Sequence, residues 1–585
     1  MNTRTTQRTL ITTLICGLFV WTTSCTKNAD QAGQTTSSAA ATSSGPSNAE
    51  LKVGISQEFE NFNPLVASMA ATTYMYSMVN RALVYLDVDA KWQPQLATTI
   101  PTLENGLAKI TEVGGKKVLT AQWEIQESAK WGDGTPVTCK DFALARKVAA
   151  SPNVTVAEKE TYTLVEKIEF DPATPKKCLF TYEKVRWDFY QLGQFKPLPA
   201  HLEEAVFNKF EKEPQGYEKN SIFTKEPTNK GLYNGPYVIT EVKLGDHITF
   251  EPNTNFYGAQ PKIKKIIVKL IQNTGTMEAN LRSGTIDMIS TLGLTFDQAL
   301  EFDKKVQAEN LPYVVTFTPS LVYEHIDFNL DNPILKDLKV RQAMVHAIDR
   351  DSLTKSLFEG KQIPAIHFAS PKDPWFADAS KVKIYKYSKK EAEKILDDAG
   401  WKLGDDGIRA KGGKKLSFNF MTTAGNKTRE TVQTYLQEQW KAIGIDVVIK
   451  NEPARVFFAE TTKKRKFDLA MYAWVSSPEN NPRSTLSTKS IPSQKNSFSG
   501  QNQPGWSNKR VDELIDAIDL EFSHEKRIAL ATEIQKLYTE DAPVIPLYYR
   551  ADISVVPKNM TGFKVPGHQF YETNNVENWN LESVP

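Results

Sequence analysis

The residues best equipped for chemistry in this chain are few and scattered, and their types suit holding a molecule better than breaking one. Seven histidines lie far apart, with no His-Glu-x-x-His zinc pair and no Gly-x-Ser-x-Gly elbow to present a serine nucleophile. His325 and His346 are the two that could meet in space, which keeps an exported hydrolase as an alternative, although isolated histidines more often serve structure. No Gly-x-x-x-x-Gly-Lys-Ser/Thr loop is present to cradle a phosphate, so any energy must come from a partner. Trp474 is more telling. It ends an apolar run, 467–474, and is followed by the loop Val475-Ser476-Ser477-Pro478-Glu479-Asn480-Asn481-Pro482.

The elements around that run explain why its end matters. Residues 416–421 form a short apolar run and a helical pattern follows near 428–442, with Val432, Tyr435 and Leu436 on one face. The β-branched run 445–449, a helix near 455–462 and the run 467–474 complete strand, helix, strand, helix, strand. That order predicts a parallel sheet with helices on its faces. In an open parallel sheet, ligands lie beyond the carboxyl ends of the strands, which is where Trp474 and its loop fall.

Elsewhere the patterns are shorter. Ser388 and Glu391 make a capping box before a helix that Gly400 stops, and 338–358 holds two further helices. A long helix at 525–539 runs into a strand at 543–549. Residues 51–55 and 118–125 read as strands, and 72–83 as a helix. The turn at Asn234-Gly235-Pro236-Tyr237 opens a hairpin through Val238, Val242, Ile248 and Phe250. Between 129 and 141, Asp133-Gly134-Thr135-Pro136 is a turn that closes one strand and opens a helix, because Gly134 tolerates positive φ and Pro136 fixes its own φ.

Composition excludes several classes. Seventy-one basic residues against 69 acidic ones give a net charge of +2, which offers no case for nucleic acid, and Lys463-Lys464-Arg465-Lys466 reads as a solvated helix end. With 40% hydrophobic residues the body after residue 50 can bury two or three cores. Arg4 and Arg8 precede an apolar run at 10–21, about a dozen residues, where a bilayer core needs roughly 20, so an export leader is expected. Residues 26–49 are nearly all Thr, Ser, Ala, Gly, Gln and Asn, a flexible tether. Of four cysteines, Cys139 and Cys178 fall in the folded body, where they either pair or stay as buried thiols.

Across nearly the whole body, short motifs recur in one order. They are Asn63-Pro64-Leu65, Pro94-Gln95-Leu96-Ala97, the Asp133–Pro136 turn with Asp141, Gly235-Pro236-Tyr237 and Ser283-Gly284-Thr285-Ile286-Asp287. Val340-Arg341-Gln342-Ala343, Ala347-Ile348-Asp349-Arg350, Gly360, Pro364-Ala365 and the stretch 543–549 follow. In this the chain resembles the extracellular solute-binding proteins that serve peptide and nickel ABC importers.

The resemblance implies an α/β, type II periplasmic-binding-protein fold, two hinged lobes with an extra domain inserted in the first. Expected boundaries are a leader at 1–25, a linker at 26–49, first-lobe segments at 50–90 and 230–320, and the inserted domain at 91–229. The second lobe spans 321–542 and the return to the first lobe 543–585. Ser24-Cys25 resembles a lipoprotein cleavage site with Cys25 lipidated, while Thr22 departs from the usual leucine and leaves ordinary leader cleavage open. In peptide-binding relatives the loop after the tryptophan and a segment matching Ser68-Met69-Ala70-Ala71 pair with an extended peptide.

The implied ligand site is therefore Trp474, Val475, Ser476, Ser477, Glu479 and Asn480 with Ser68–Ala71. Ser477 stands where an aspartate takes the ligand's α-ammonium group, so Glu479 is either a shifted anchor or a solvated loop carboxylate. The implied function is capture of oligopeptides for an ABC permease with a separate ATPase, by a monomer tied to the membrane through its lipid, with no cofactor and no metal. Nickel chelate, haem or oligosaccharide on the same fold is the alternative cargo.

Overall fold

The computed structural model describes residues 47–583 apart from 60, 68, 158, 497 and 499. The expected leader, Cys25, nearly all of the tether and Ser68 lie outside the described residues. One sheet organises the body. In chain order its strands are β1 (Leu51–Ile55), β2 (Tyr237–Lys243), β3 (His247–Pro252), β4 (Ile266–Leu270), β5 (Met288–Ile289), β6 (Tyr313–Phe328), β7 (Ser417–Met421), β8 (Asp446–Ile449), β9 (Leu469–Val475) and β10 (Val544–Pro557). Their spatial order is β8-β7-β9-β6-β10-β5-β1-β4-β3-β2, and Ile363–Pro364 adds a short strand beside β10.

Two buried cores flank the crossing strands. One gathers Leu51, Val53, Ile55, Ile266 and Val268 with the 108–182 region and the carboxyl end. The other gathers Ile326, Phe328, Phe418, Phe420, Leu436, Trp440 and Leu469. β6 and β10 run antiparallel through both halves, and their ladder slips between Pro319 and Tyr323 and again between Glu324 and His325. A separate four-stranded antiparallel sheet lies at 108–182.

β7 pairs in parallel with both β8 and β9, as the strand, helix, strand alternation requires. The helix Lys427–Lys441 between β7 and β8 starts on an Asn426 cap and buries Val432, Leu436 and Trp440. Trp440 Nε1 donates to the Met344 carbonyl at 3.0 Å, which locks it to the helix Leu338–His346. At 454–462 the expected helix is a single α turn followed by a π-helix.

Three local outcomes carry physical reasons. The helix expected at 72–83 is Ala70–Val79, because Asn234 Oδ1 accepts the Arg81 amide at 2.7 Å and draws the chain off the axis. Gly235 is required there, since a Cβ would sit 2.5 Å from the Val79 carbonyl carbon. In the Asp133–Pro136 turn the Asp133 carboxylate accepts the Thr135 amide at 2.9 Å and Gly134 takes φ +92°. Thr138 and Asp141 then cap the helix Cys139–Ala150. Arg465 departs from the solvated helix end expected of its cluster. Its guanidinium donates to the Gln503 and Pro504 carbonyls at 2.8 and 3.1 Å and pairs with Asp331 at 2.8 Å, which withdraws it from solvent.

Candidate functional site: a free strand edge and the cavity beside it

Among the described residues the end of β9 has no ladder partner on one side, and two hydrogen bonds fix which residues face that gap. Thr422 Oγ1 donates to the Met471 carbonyl at 2.7 Å, so Met471 points its backbone toward β7. Ser476 N donates to the Leu321 carbonyl at 3.2 Å, so Ser476 points the other way, toward β6. Backbone groups alternate sides along a strand. Ala473 and Val475 therefore share Met471's direction. β7 pairs with β9 through Phe420 with Leu469 and Met421 with Ala470 and then turns toward the next strand, bridging from Thr423 to Glu452. Among the described residues, the backbone of Ala473 and Val475 has no ladder partner on the β7 side, and Val475 is 72% exposed while Ala473 is half-buried.

Trp474 stands on the opposite register. Its half-buried ring lies parallel to His325, 13° between planes and 6.3 Å between centroids, and meets Tyr472 edge-on at 5.4 Å. His325 stacks on Tyr323 at 4.9 Å and its Nε2 lies 3.3 Å from Asp327 Oδ1. His346 is elsewhere, its Nδ1 on the Lys386 carbonyl at 2.8 Å and its ring against Tyr385. Each histidine is held in its own surroundings, and the two form no pair.

Beyond the strand, Ser476 Oγ donates to the Ser477 carbonyl at 3.1 Å, and Asn480 is exposed. Glu479 is not solvated. It is 8% exposed, takes φ +54°, donates its amide to Asp373 Oδ1 at 3.2 Å and places Oε1 3.0 Å from His524 Nδ1. Burial raises its pKa, with Arg527 pulling the other way. Met69, which precedes the helix Ala70–Val79, is 39% exposed; Ala70 is half-buried and Ala71 fully buried. Ala71, with no exposed surface, is covered by its neighbours, backbone included.

Glu479 opens into a cavity of about 720 Å³ whose wall includes Trp92, Trp187, Tyr190, Asp373 and Arg527. Arg527 is 4% exposed, lies 3.7 Å above the Trp187 ring and donates to the Glu521 and Phe522 carbonyls at 3.0 and 2.9 Å. Sequence reasoning found none of these partners. Residues 187, 373, 479 and 527 share no motif and meet only through the fold. The volume is in the range of small-molecule sites.

Cys139 and Cys178 form a disulfide with Cα atoms 5.5 Å apart. No group of His, Cys, Asp and Glu among the described residues could hold a metal ion. No helix among them is long and apolar enough to cross a membrane.

Comparison with known proteins agrees with this architecture. The profile of the bacterial extracellular solute-binding proteins, family 5 Middle, matches residues 92–496. Oligopeptide-binding protein AppA of Bacillus subtilis (strain 168) is 27% identical over 544 residues, 91% of each chain. The oligopeptide-binding protein of Thermus thermophilus, solved with a pentapeptide, superposes with a TM-score of 0.67 at 27% identity, covering 91% of this chain and 96% of that one. NikZ from Campylobacter jejuni, solved with Ni(L-His), gives 0.68 at 24% identity over 92% of this chain and 100% of its own, and speaks for the fold alone. The fold is the type II periplasmic-binding-protein arrangement of two hinged α/β lobes with an inserted domain. With the profile spanning more than half its length, the chain belongs to the bacterial extracellular solute-binding proteins of family 5.

Proposed function

We propose that this protein captures oligopeptides outside the cytoplasm, between two lobes, and delivers them to an ABC permease driven by a separate ATPase, without breaking any bond. The observation that carries this reading is the unpaired backbone of Ala473 and Val475 beside Trp474. An extended peptide can add to such an edge as a further strand, and backbone pairing gives affinity while leaving side chains free to vary. Neither a nickel chelate nor a sugar has the run of amides this edge would match. The solved relatives with a pentapeptide and a nonapeptide add support.

On this reading the first lobe comprises 50–90, 230–320 and 543–585, the inserted domain 91–229 and the second lobe 321–542. β6 and β10 are the connections between lobes, and closure buries ligand that contacts both. Met69 and Ala70 face the peptide from the first lobe, with Ser476, Ser477 and Asn480 lining its other end. Lipidated Cys25 would hold a monomer at the membrane on its tether.

Val475→Pro tests the strand-addition mode. Proline removes the one amide of Val475, which faces the gap, and an edge position tolerates it without loss of a ladder bond. The expected result in calorimetric titration with pentapeptides is a loss of affinity of roughly tenfold with an unchanged melting temperature. Unchanged affinity would exclude pairing along this edge.

A further inference from the structure

One tryptophan is buried in a core otherwise built from residues far along the chain. Trp187 is 2% exposed and lies with Trp375, Trp506, Ile518 and Tyr538. Every other buried member of that core falls between residues 375 and 544, in the second lobe and the start of β10. Two residues on, Phe189 is rooted elsewhere. Equally buried, it belongs to the core of the first half and meets the Tyr182 ring edge-on at 5.5 Å, at the end of the strand Lys177–Tyr182. The short segment from Trp187 to Phe189 therefore straddles two cores, with one aromatic side chain held in each.

The seat of Trp187 is specific. Its ring lies 5.6 Å from Trp375 between centroids, and the Arg527 guanidinium stands 3.7 Å above its face, an attraction that strengthens out of water. The Glu521 and Phe522 carbonyls hold Arg527 in that position. The Trp187 amide donates to the Asp519 carbonyl at 3.1 Å. Asp519 is in the last turn of the helix Lys509–Leu520, where carbonyls find no partner within the helix, so the earlier segment supplies one. Arg186 Nε and Nη2 donate to Asp188 Oδ1 and Oδ2 at 2.9 and 2.5 Å and brace the chain on both sides of Trp187. Trp187, Phe189 and Tyr190 also wall the cavity into which Glu479 opens, so this contact adjoins the loop that follows Trp474.

We infer that Trp187 is a catch between the inserted domain and the second lobe, which must leave its seat before the gap beside Trp474 can open, and which thereby sets the rate at which cargo is exchanged. The inference rests on the lobe boundaries proposed above and not on the nature of the cargo. β6 and β10 run through both lobes and stay paired in a hinge motion, whereas the Trp187 contact joins segments that no nearby covalent path connects. Contacts made in one arrangement of the lobes and lost in the other shift the balance between them by their own free energy. A tryptophan buried at the centre of such a contact is among the residues whose truncation costs most.

Hydrogen exchange on the wild-type protein tests the catch without altering it. The Trp187 amide should exchange roughly a hundredfold or more faster than the amides of β1, because opening of the lobes frees it while both cores stay folded. Trp187→Ala should enlarge the radius of gyration of the ligand-free protein in small-angle scattering, leave the helix Cys139–Ala150 as protected from exchange as in wild type, and release a labelled pentapeptide roughly tenfold or more faster. Trp187→Phe keeps the amide and an apolar ring in the seat and should fall between the two. A Trp187 amide that exchanges as slowly as those of β1 overturns the catch, whether or not the alanine variant folds. So does a folded Trp187→Ala whose radius of gyration and release rate match wild type. A pentapeptide that binds neither protein overturns peptide capture alone, since exchange and scattering are measured without it.

Discussion

Replacing Glu324 with alanine is expected to destabilise the folded body by about 3 kcal/mol, the lower end of what breaking a buried ion pair costs. Glu324 lies in β6, fully buried, where Oε1 accepts Arg429 Nε at 2.6 Å and Oε2 accepts an Arg550 nitrogen at 2.8 Å. Arg429 opens the helix Lys427–Lys441, and Arg550 belongs to β10 near the point where the crossing ladder slips. One carboxylate therefore ties the helix to both crossing strands. Alanine leaves two guanidinium groups without their counter-charge. Arg550, with 37% of its side chain exposed, can regain water, whereas Arg429 at 8% cannot, which is why the lower figure applies.

The same site predicts an acid limb. Burial alone would raise the Glu324 pKa, but Arg550 and Arg429 outweigh it and hold the carboxyl below its ordinary 4.5. Its contribution to stability is then fully present above pH 4.5 and lost as pH falls through the lower folded value. Urea unfolding of wild type and Glu324→Ala across this range should show the gap closing as acid is added. A difference under about 0.5 kcal/mol at neutral pH, the scatter of ordinary surface changes, would mean that the pair is energetically idle.

The fold was most legible where local pattern and burial agree. The parallel unit β7, β8 and β9 could be read directly, because β-branched and aromatic runs alternate with an amphipathic helix whose cap, Asn426, and buried residues Val432 and Leu436 follow helical spacing. The crossing strands could not. β6 carries Pro319 in its middle and Glu324, His325 and Asp327 in its buried half, all features that argue against a central strand. The structure accommodates Pro319 at the register slip and satisfies the charges across the sheet, by contacts about 100 residues or more away in sequence such as Arg429 and Tyr472. β10 was legible only over its apolar first half. Its continuation through Arg550 and Asp552 has no local strand signature.

The site divides the same way. Trp474 at a strand end is a local fact, and the free edge follows from where β7 stops. That Glu479 is buried rather than solvated depends on Asp373, His524 and Arg527, none of them sequence neighbours. Its left-handed backbone also had no signal, since a glutamate is not a residue one places at φ +54°. The basic cluster at 463–466 misled for a related reason. Arg465 turns inward because carbonyls at 503 and 504 are brought to it by a distant loop.

Removing the disulfide should cost about 2–4 kcal/mol of stability and leave ligand affinity unchanged. Cys139 begins the helix Cys139–Ala150 and Cys178 lies on the strand Lys177–Tyr182, 39 residues apart in sequence. Closing a loop of that length restricts the unfolded chain by about 4 kcal/mol in the chain-entropy account. The Cys139 amide also donates to the Pro175 carbonyl at 2.8 Å, so without the covalent bond the helix start stays tied to the turn that leads into this strand. Alanine is the right replacement for each cysteine, since both sites are 0% exposed and a serine hydroxyl would be buried with them. For the same reason reductant alone should act slowly on the native protein, and quickly only under conditions that open the 108–182 sheet. The paired alanine variant should unfold at lower urea concentration while binding peptides as wild type does, because neither cysteine lines the cavity or the free edge of β9. A variant as stable as wild type would show that helix and strand are held by their packing and that the covalent link adds nothing.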